Sequence, residues 1–305
     1  LFIFLLKFNM SKAFKVAGIG EVLWDINGDV KKIGGAPANF TFHCKNLGAD
    51  AFLISSLGND KLGLQIIDFF KNRKINISAI DINKDKSTGI VNVNLNHLKN
   101  AQYKIKDYNI AWDYIIFDDN KSKIASSLDA ICFGTLAQRN SISKESIHKI
   151  LKSVKKDCLI MFDMNLRQHY HNTEIILSSI ELANSIKINE EELNVISNIL
   201  KISGSKKELI KTIYNKFNLR LLILTCGENG AYILRNNELS FKKPPKINNI
   251  ISTVGAGDCF TSVVVMGYLN NNSLDEINEQ ANLLASFVCT QNSAVPEIPK
   301  ELIIN

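Results

Sequence analysis

The stretch FKVAGIG, residues 14–20, is a short apolar run that ends in glycine, and it predicts a buried β-strand. Residues 36–47 then follow a helical pattern that ends at Gly48, and AFLIS at residues 51–55 is a second apolar run. Because parallel strands need crossover helices, this alternation predicts an α/β fold whose mainly parallel sheet is covered by helices on both faces. Four further strand-like runs continue the pattern: residues 130–133, 158–162, 185–188 and 221–225.

Two regions interrupt the alternation. Residues 22–33 and residues 89–105 alternate polar and apolar side chains between turn residues, which predicts half-exposed antiparallel strands. Such strands commonly form a small lid over the carboxyl ends of a parallel sheet. No internal repeat or low-complexity linker divides the sequence, so we expect residues 10–305 to form a single domain that carries this lid.

The first ten residues, LFIFLLKFNM, contain an apolar run of only six residues before Lys7. That run is too short to span a bilayer, no basic segment precedes it, and no small-residue cleavage site follows. Met10 is a plausible start, so residues 1–9 are interpreted as an upstream extension without function.

The composition is that of an ordinary globular protein, with 46% hydrophobic and 22% charged residues among 305. The net charge of +6 is spread along the chain without a basic tract, which suits small anionic ligands and gives little support to nucleic-acid binding. The six cysteines include no CxxC pair and mostly adjoin apolar runs. Reduced thiols in a cytoplasmic protein are therefore expected, with no membrane partner.

The segment STVGAGDCF, residues 252–260, places Gly255, Ala256 and Gly257 before a lone acid and an apolar run. Small residues let backbone N–H groups converge, and a helix that starts near Asp258 would add its positive dipole end, so the segment could bind an anion. A simple helix cap by Asp258 is the alternative.

Two further motifs combine glycine or acidic residues with a predicted helix start. GGAPAN, residues 34–39, is a glycine turn that runs into a helix, with Asn39 in its first turns; an ordinary connection is the alternative. NEEE, residues 189–192, places Asn189 and Glu192 on one helix face, where their oxygens could hold the water shell of Mg²⁺ or form only a capping box.

Two strand ends carry other polar residues. After residues 158–162, Asp163, Asn165 and Arg167 alternate and would share one face if the chain stays extended, and an arginine there can clamp an anion. In GIGEVLWD, residues 18–25, an acid at the end of the first strand could accept hydrogen bonds from a polyol, or could be solvated in a turn.

Taken in this order, GGAPAN, NEEE and TVGAGD resemble the motifs of the ribokinase or PfkB-type carbohydrate kinases, over residues 14–299. Several segments resemble the fructokinase branch of that family: GEVLWD (20–25), FGTLAQR (133–139), NLRQ (165–168) and CTQNSA (289–294). The resemblance implies a ribokinase-like three-layer sandwich and transfer of phosphate from ATP to a sugar. It favours fructose as the substrate, with ribose or 2-keto-3-deoxygluconate as alternatives and a non-catalytic regulator as a more distant one.

The resemblance also implies roles for individual residues. Asp258 matches the catalytic base, and Gly255, Ala256 and Gly257 match the anion hole around the transferred phosphoryl group. Residues that match or adjoin the sugar-binding positions are Asp25, Gly35, Asn39, Asn165 and Arg167. Thr225, Gly227, Gly257 and Asn292 match the nucleotide pocket, and Asn189 and Glu192 match the pair that organises Mg²⁺. The family also forms dimers through the lid, so a homodimer is an expectation here.

One position departs from the family pattern. Where the family usually has aspartate, giving DTVGAGD, this chain has Ser252. That aspartate commonly helps to hold an activating monovalent cation. Because serine supplies only a neutral and shorter oxygen donor, we expect weak or absent K⁺ activation.

Overall fold

The computed structural model describes residues 13–95, 101–105 and 108–303. The interpretation of residues 1–9 as an extension therefore lies outside the described residues. Strands and helices alternate through most of the described chain. The strands are β1 Lys15–Ile19, β2 Leu23–Asn27, β3 Val30–Gly34, β4 Asp50–Gly58, β5 Asn76–Asn83, β6 Gly89–Leu95, β7 Ala101–Ile105, β8 Ala130–Phe133, β9 Leu159–Asp163, β10 Ser185–Asn189, β11 Leu221–Thr225, β12 Ala231–Arg235 and β13 Glu238–Lys242. The helices are α1 Ala36–Asn46, α2 Lys61–Asn72, α3 Asp119–Ala125, α4 Ser141–Lys152, α5 Thr173–Leu182, α6 Glu190–Leu200, α7 Lys206–Lys216, α8 Ala256–Leu269 and α9 Leu274–Cys289.

The central sheet has nine strands in the order β13-β12-β11-β10-β9-β8-β1-β4-β5. Pairing is parallel from β11 through to β5, and only the pairs β11–β12 and β12–β13 at one edge are antiparallel. The mainly parallel sheet that the sequence predicts is thus confirmed. All the carboxyl ends of the parallel strands open on the same edge of the sheet, which is where ligands bind in such folds.

Two apolar cores lie on opposite faces of this sheet. One core includes buried residues of α1, α2, α8 and α9, such as Phe40, Phe70 and Val264. The other includes buried residues of α3 to α7, such as Ile147 and Ile210. Successive strand residues alternate between the two cores, as Val16 and Ala17 of β1 do. The result is the three-layer α/β/α sandwich expected from the sequence.

The predicted lid strands form a second sheet, in the order β3-β2-β6-β7. β2 and β3 pair antiparallel, and so do β6 and β7. β2 and β6, however, pair parallel, which differs from the purely antiparallel arrangement expected. The reason is that β2 and β6 are separated in sequence by β3, α1, β4, α2 and β5, so no hairpin joins them. Within the described chain, no helix is long and apolar enough to cross a bilayer.

Candidate active site

An acidic cavity of about 540 Å³ lies where the carboxyl ends of the central strands meet the small sheet. Its walls come from segments that are far apart in sequence, including the ends of β1 and β9, the start of α1, β2 and the start of α8. Its lining residues include Glu21, Asp25, Gly35, Asn39, Asn165, Arg167, Lys187, Thr253, Gly255, Gly257 and Asp258. All five residues predicted to bind sugar therefore lie around one cavity, together with the predicted base.

The start of α8 depends on Gly255. This residue is the N-cap and has a left-handed backbone, with φ of 82°. A Cβ atom there would lie 2.6 Å from Cβ of Ala294, so neither the conformation nor the space admits a side chain. Asp258 is the third residue of the helix and not its N-cap. The alternative that Asp258 serves as the N-cap is therefore wrong.

The carboxyl group of Asp258 is only partly satisfied by hydrogen bonds. Asn39 Nδ2 donates to Oδ2 of Asp258 at 2.8 Å. Burial raises the pKa of Asp258 to about 6, the nearby Asp163 charge adds to this, and Asn39, Lys187 and Arg167 oppose it. A carboxylate with a raised pKa in a cavity is suited to accept a proton near neutral pH.

Helix α1 presents Asn39 to the cavity because of the glycine turn before it. Gly35 has φ of 103°, and a Cβ atom there would lie 2.3 Å from the carbonyl oxygen of Glu21. Among the described residues, the Oδ1 atom of Asn39 has no hydrogen-bond partner. Burial also raises the pKa of Asp25, on the small sheet, to about 6, against the attraction of Arg167 and Lys32. Both side chains leave acceptors for the hydroxyl groups of a ligand.

The segment after β9 does not stay extended. Asn165 has φ of 40° and Gln168 has φ of 46°, so the backbone turns at both positions. Asn165 and Arg167 reach the acidic cavity, whereas Asp163 is buried beneath it. Asp163, Asn165 and Arg167 therefore do not share one face, because the strand ends at Asp163 and the chain after it is not extended.

A buried charged pair supports the floor of the acidic cavity. Lys187 Nζ donates to Oδ1 of Asp163 at 3.0 Å, and Thr261 Oγ1 donates to Oδ2 of the same carboxylate at 2.9 Å. Burial alone would lower the pKa of Lys187, but Asp163 and Glu192 raise it, so the ammonium group keeps its charge. A Cβ atom placed on Gly257 would lie 3.3 Å from Nζ of Lys187. The cavity therefore has a fixed positive charge next to the glycine loop.

Asn189 and Glu192 form the capping box that the sequence allowed. Asn189 Oδ1 accepts the N–H of Glu192 at 2.9 Å, and Oε2 of Glu192 accepts the N–H of Asn189 at 2.8 Å. Oε1 of Glu192 accepts the N–H of Leu166 at 2.9 Å. Among the described residues, neither Asn189 nor Glu192 lines the acidic cavity or the cavity of about 630 Å³ on the other side of the glycine loop.

These contacts bear on how a metal could be held. Within the described residues, no three His, Cys, Asp or Glu side chains come together closely enough to bind a metal ion. Each oxygen of Glu192 retains a lone pair beyond the one that its N–H partner uses. Oxygen donors of this type suit a metal that keeps its waters and binds with phosphates, as Mg²⁺ commonly does, but Glu192 is 3% exposed and lines neither cavity, so its metal role stays a prediction.

A second cavity, here called the loop cavity, has a volume of about 630 Å³ and lies on the other side of the glycine loop. Thr225 and Gly227 line it, as the resemblance implies, and so does Ala256. Thr253 and Gly257 line both cavities, so the two spaces meet at the glycine loop. Asn292 is not in the lining among the described residues; its Oδ1 accepts a hydrogen bond from Lys32 Nζ at 3.0 Å.

The sequence-based assignment omits several residues that line the cavities, and it considers Glu21 only as an acid at the end of the first strand that could accept hydrogen bonds from a polyol. Glu21 and Lys187 line the acidic cavity, and Asn282 of α9 lines the loop cavity. The sequence could have identified Lys187, because a lysine between two isoleucines in a buried strand requires a partner for its charge. No sequence pattern distinguishes Asn282 from the other polar residues of its helix.

Known proteins resemble this chain over nearly its full length. An uncharacterized sugar kinase of Pyrococcus horikoshii is 29% identical over 307 residues, which cover 94% of this chain and 93% of that protein. The Arabidopsis thaliana protein named "Probable fructokinase-4" is 25% identical over 301 residues, 92% of this chain and 89% of its own length.

Solved structures agree with the fold. The Pyrococcus horikoshii kinase in complex with ATP superposes with a TM-score of 0.79 at 26% identity, covering 92% of this chain and 94% of that one. An Escherichia coli structure named "putative Ribokinase II" superposes with a TM-score of 0.85 at 18% identity, covering 95% of this chain and 98% of that one. At that identity the second likeness concerns the fold alone.

The family profile of pfkB family carbohydrate kinases matches residues 14–301. This span includes both sheets, both cavities and the glycine loop between them. The members of the family are phosphotransferases that act on sugar hydroxyl groups with ATP. The chain belongs to the pfkB family of carbohydrate kinases.

Proposed function

We propose that this protein transfers the γ-phosphoryl group of ATP to a hydroxyl group of a small sugar, and that the sugar is D-fructose, which would yield D-fructose 6-phosphate. The observation that carries this proposal is the meeting of the two cavities at Thr253 and Gly257, with Asp258 at the junction. The sugar would occupy the acidic cavity and the nucleotide the loop cavity. This arrangement suits in-line transfer across the glycine loop.

Asp258 is the proposed base. Its carboxylate would take the proton of the sugar hydroxyl as the hydroxyl oxygen bonds to the γ-phosphorus. Asn39 holds the carboxyl group in place through the 2.8 Å hydrogen bond, which leaves the rest of the carboxyl group for the sugar. A base with a pKa of about 6 is largely ionised at neutral pH and can still accept a proton.

The anion hole is proposed at the start of α8. Glycine at positions 255 and 257 places no side chain before the first N–H groups of α8, and the helix dipole directs positive potential at the same place. Lys187, held by Asp163, contributes a full positive charge next to Gly257. Magnesium bound to the phosphates, held through water by Asn189 and Glu192, would spread the remaining negative charge.

The small sheet is the proposed lid. Asp25 on β2, with Val91 on β6 and Ile105 on β7, lines the acidic cavity, so the sheet forms one of its walls. Exclusion of water over the bound sugar would prevent the wasteful hydrolysis of ATP. Lys32 of β3 contacts Asn292, which ties the small sheet to the loop after α9. The role of Asn292 as a wall of the nucleotide pocket stays a prediction.

The assignment of fructose rests on the fructokinase-like segments and on the fructokinase-named relative. The alternatives are ribose and 2-keto-3-deoxygluconate, since sugar pockets in this family diverge. A non-catalytic regulator on the same fold is disfavoured because Asp258, Asn39 and Lys187 retain a complete reactive arrangement. The cytoplasmic location and a homodimer through the lid, without nucleic-acid or membrane partners, complete the proposal.

A coupled ADP-release assay over a panel of sugars tests the proposal. D-fructose is expected to give the highest kcat/KM, with ribose, 2-keto-3-deoxygluconate, glucose and fructose 6-phosphate as competitors in the panel. A higher kcat/KM for any of them would replace fructose with that sugar. If no sugar stimulated ADP release above the Asp258→Asn background, the regulator would become the better assignment.

A further inference from the structure

Glu21 is the acidic residue at the end of β1, and the proposed chemistry does not use it. Only 3% of its surface is exposed, yet it lines the acidic cavity. The charges of Arg167 and Asp258 act on its carboxyl group, so these three side chains share one environment. A buried acid at the wall of a ligand cavity needs a structural or a functional reason.

The backbone of Glu21 is held in place. Gly20 before it donates its N–H to the carbonyl oxygen of Ile54 at 3.1 Å, and Ser55 Oγ donates to the carbonyl oxygen of Gly20 at 2.6 Å. Its own carbonyl group lies against Gly35 at the start of α1, where a Cβ atom would come within 2.3 Å. The side chain therefore starts from a fixed position between the central sheet and α1.

A structural role explains only part of the carboxyl group. The backbone N–H groups of Glu21 and Ala36 lie close enough to the carboxyl group to lower its pKa, which places the side chain next to the start of α1. Its Oε2 atom, however, has no partner among the described residues. Buried polar atoms are rarely left without a partner, because the lost hydration is not recovered. The cavity that Glu21 lines is the space from which a partner can come.

We propose that Glu21 is a further substrate-binding residue, whose Oε2 atom pairs with a hydroxyl group of the bound sugar. The proposal rests on the proposed function, since it places the sugar in the acidic cavity. The fixed backbone of Glu21 limits where its carboxyl group can lie, and the unpaired Oε2 atom would favour a sugar that places a hydroxyl group within hydrogen-bond distance of it. Glu21 would thereby contribute to the choice of sugar without taking part in the proton transfer.

The chemistry of the group matches a hydroxyl better than an anion. Burial raises the pKa of Glu21 to about 7, against its backbone hydrogen bonds and the attraction of Arg167, so the neutral carboxyl group is well populated near neutral pH. A neutral carboxyl group both donates and accepts, as a sugar hydroxyl does. An anionic partner would be repelled by the ionised form and by Asp258 nearby.

Steady-state kinetics of Glu21→Ala and Glu21→Gln test the proposal with the sugar that the wild type prefers. Loss of one paired hydroxyl should raise the KM for sugar in Glu21→Ala about ten- to a hundredfold. The KM for ATP should stay within about twofold, because the loop cavity is untouched. Glu21→Gln keeps a donor and an acceptor in the same shape and should lose less than Glu21→Ala.

The decisive measurement uses monodeoxy analogues of that sugar. The wild type should discriminate against the analogue that lacks the contacted hydroxyl by about tenfold or more, and Glu21→Ala should discriminate against it hardly at all. Equal discrimination by both proteins for every analogue would overturn the proposal and leave Glu21 as an anchor of α1 alone. A wild type that phosphorylates none of the sugars would overturn this proposal together with the proposed function.

A matched control separates binding from folding. Asp60 also accepts backbone N–H groups at a helix start, but it lies outside the lining of the acidic cavity within the described chain. Asp60→Asn should leave the sugar KM within about twofold. Thermal unfolding and ATP binding should show that Glu21→Ala is folded. If Glu21→Ala binds neither sugar nor ATP, the analogue test is made with Glu21→Gln instead. The discrimination of Glu21→Gln against the same analogue must then be lower than that of the wild type.

Discussion

Two aspartates stand at helix starts in this protein, and their environments are opposite. Asp60 is the N-cap of α2; its Oδ1 accepts the N–H of Gly63 and its Oδ2 accepts the N–H of Thr88, both at 2.8 Å. Burial alone would raise its pKa, but these backbone groups hold the pKa below its ordinary value. Asp258 of α8 has Asn39 as its side-chain donor, and its pKa is raised to about 6.

The comparison separates a structural carboxylate from a reactive one. Both residues lie one or two positions after a glycine, so the sequence motif alone does not distinguish a structural aspartate from a reactive one. Backbone N–H groups occupy both oxygens of Asp60, which stabilises the folded chain and leaves little basicity. Asp258 is half-buried with fewer donors and next to Asp163, so the folded protein holds a carboxylate that is ready to take a proton.

The largest expected difference between the two aspartates is in turnover. Asp258→Asn should lower kcat by about a thousandfold or more, because the isosteric amide keeps the shape of the site but cannot accept the proton. Asp60→Asn should leave kcat within about threefold, because it lies at a different helix. The ADP-release assay measures both. Comparable kcat values for Asp258→Asn and the wild type would remove Asp258 from the role of base.

The pH dependence of catalysis should follow Asp258 and not Asp60. Since the base must be ionised, kcat/KM should fall about tenfold per pH unit below about pH 6, where Asp258 takes up a proton. Asp25 titrates in the same range, with a pKa of about 6, and Glu21 with one of about 7. The control is therefore the pH profile of the residual activity of Asp258→Asn. That profile should lack the fall in kcat/KM that protonation of Asp258 causes in the wild type. An unchanged profile in that variant would assign the inflection to the other acids.

Stability should change in opposite directions at the two sites. The folded pKa of Asp258 lies above its ordinary value of 3.8, so its burial costs stability as pH rises from about 4 to about 6, and the full cost remains above that range. Asp258→Asn should thus raise the free energy of unfolding at about pH 7.5 by about 2 kcal/mol, and by little near pH 4. Asp60→Ala should lower it by about 1 kcal/mol, since a cap is lost. Urea unfolding at both pH values measures the two changes.

The strands of the central sheet were predictable because each is a short, continuous apolar run. Residues 130–133 and 221–225 match β8 and β11 residue for residue. The residues that sequence motifs bring to the acidic cavity were predictable for a related reason: glycine turns and polar residues at strand ends must lie at the carboxyl edge of the sheet. Gly35, Asn39 and Asp258 all reach it.

What sequence reasoning missed depends on contacts between distant segments. The burial of Asp163 under the cavity follows from its pairing with Lys187 on the neighbouring strand, and a local pattern does not encode that pairing. The unpaired oxygen of Glu21 becomes visible only when α1 and β1 are packed together. The capping box of Asn189 and Glu192 was readable, because it is made within four residues. Its proposed metal role stays a prediction.

The smallest expected effect concerns the residue before the glycine loop. Ser252 Oγ accepts the N–H of Val254 at 3.2 Å, so its one side-chain oxygen already has a local partner. A neutral hydroxyl also attracts a cation less than the carboxylate that the family pattern DTVGAGD would place there. Replacing K⁺ by tetramethylammonium at constant ionic strength should therefore change kcat less than about twofold. Ser252→Asp restores a charged oxygen donor and should introduce a K⁺ response of several-fold, with Na⁺ and tetramethylammonium as the matched salts. A collapse of the wild-type rate without K⁺ would contradict the prediction and would show that backbone oxygens alone can hold the cation beside the loop of Asp258.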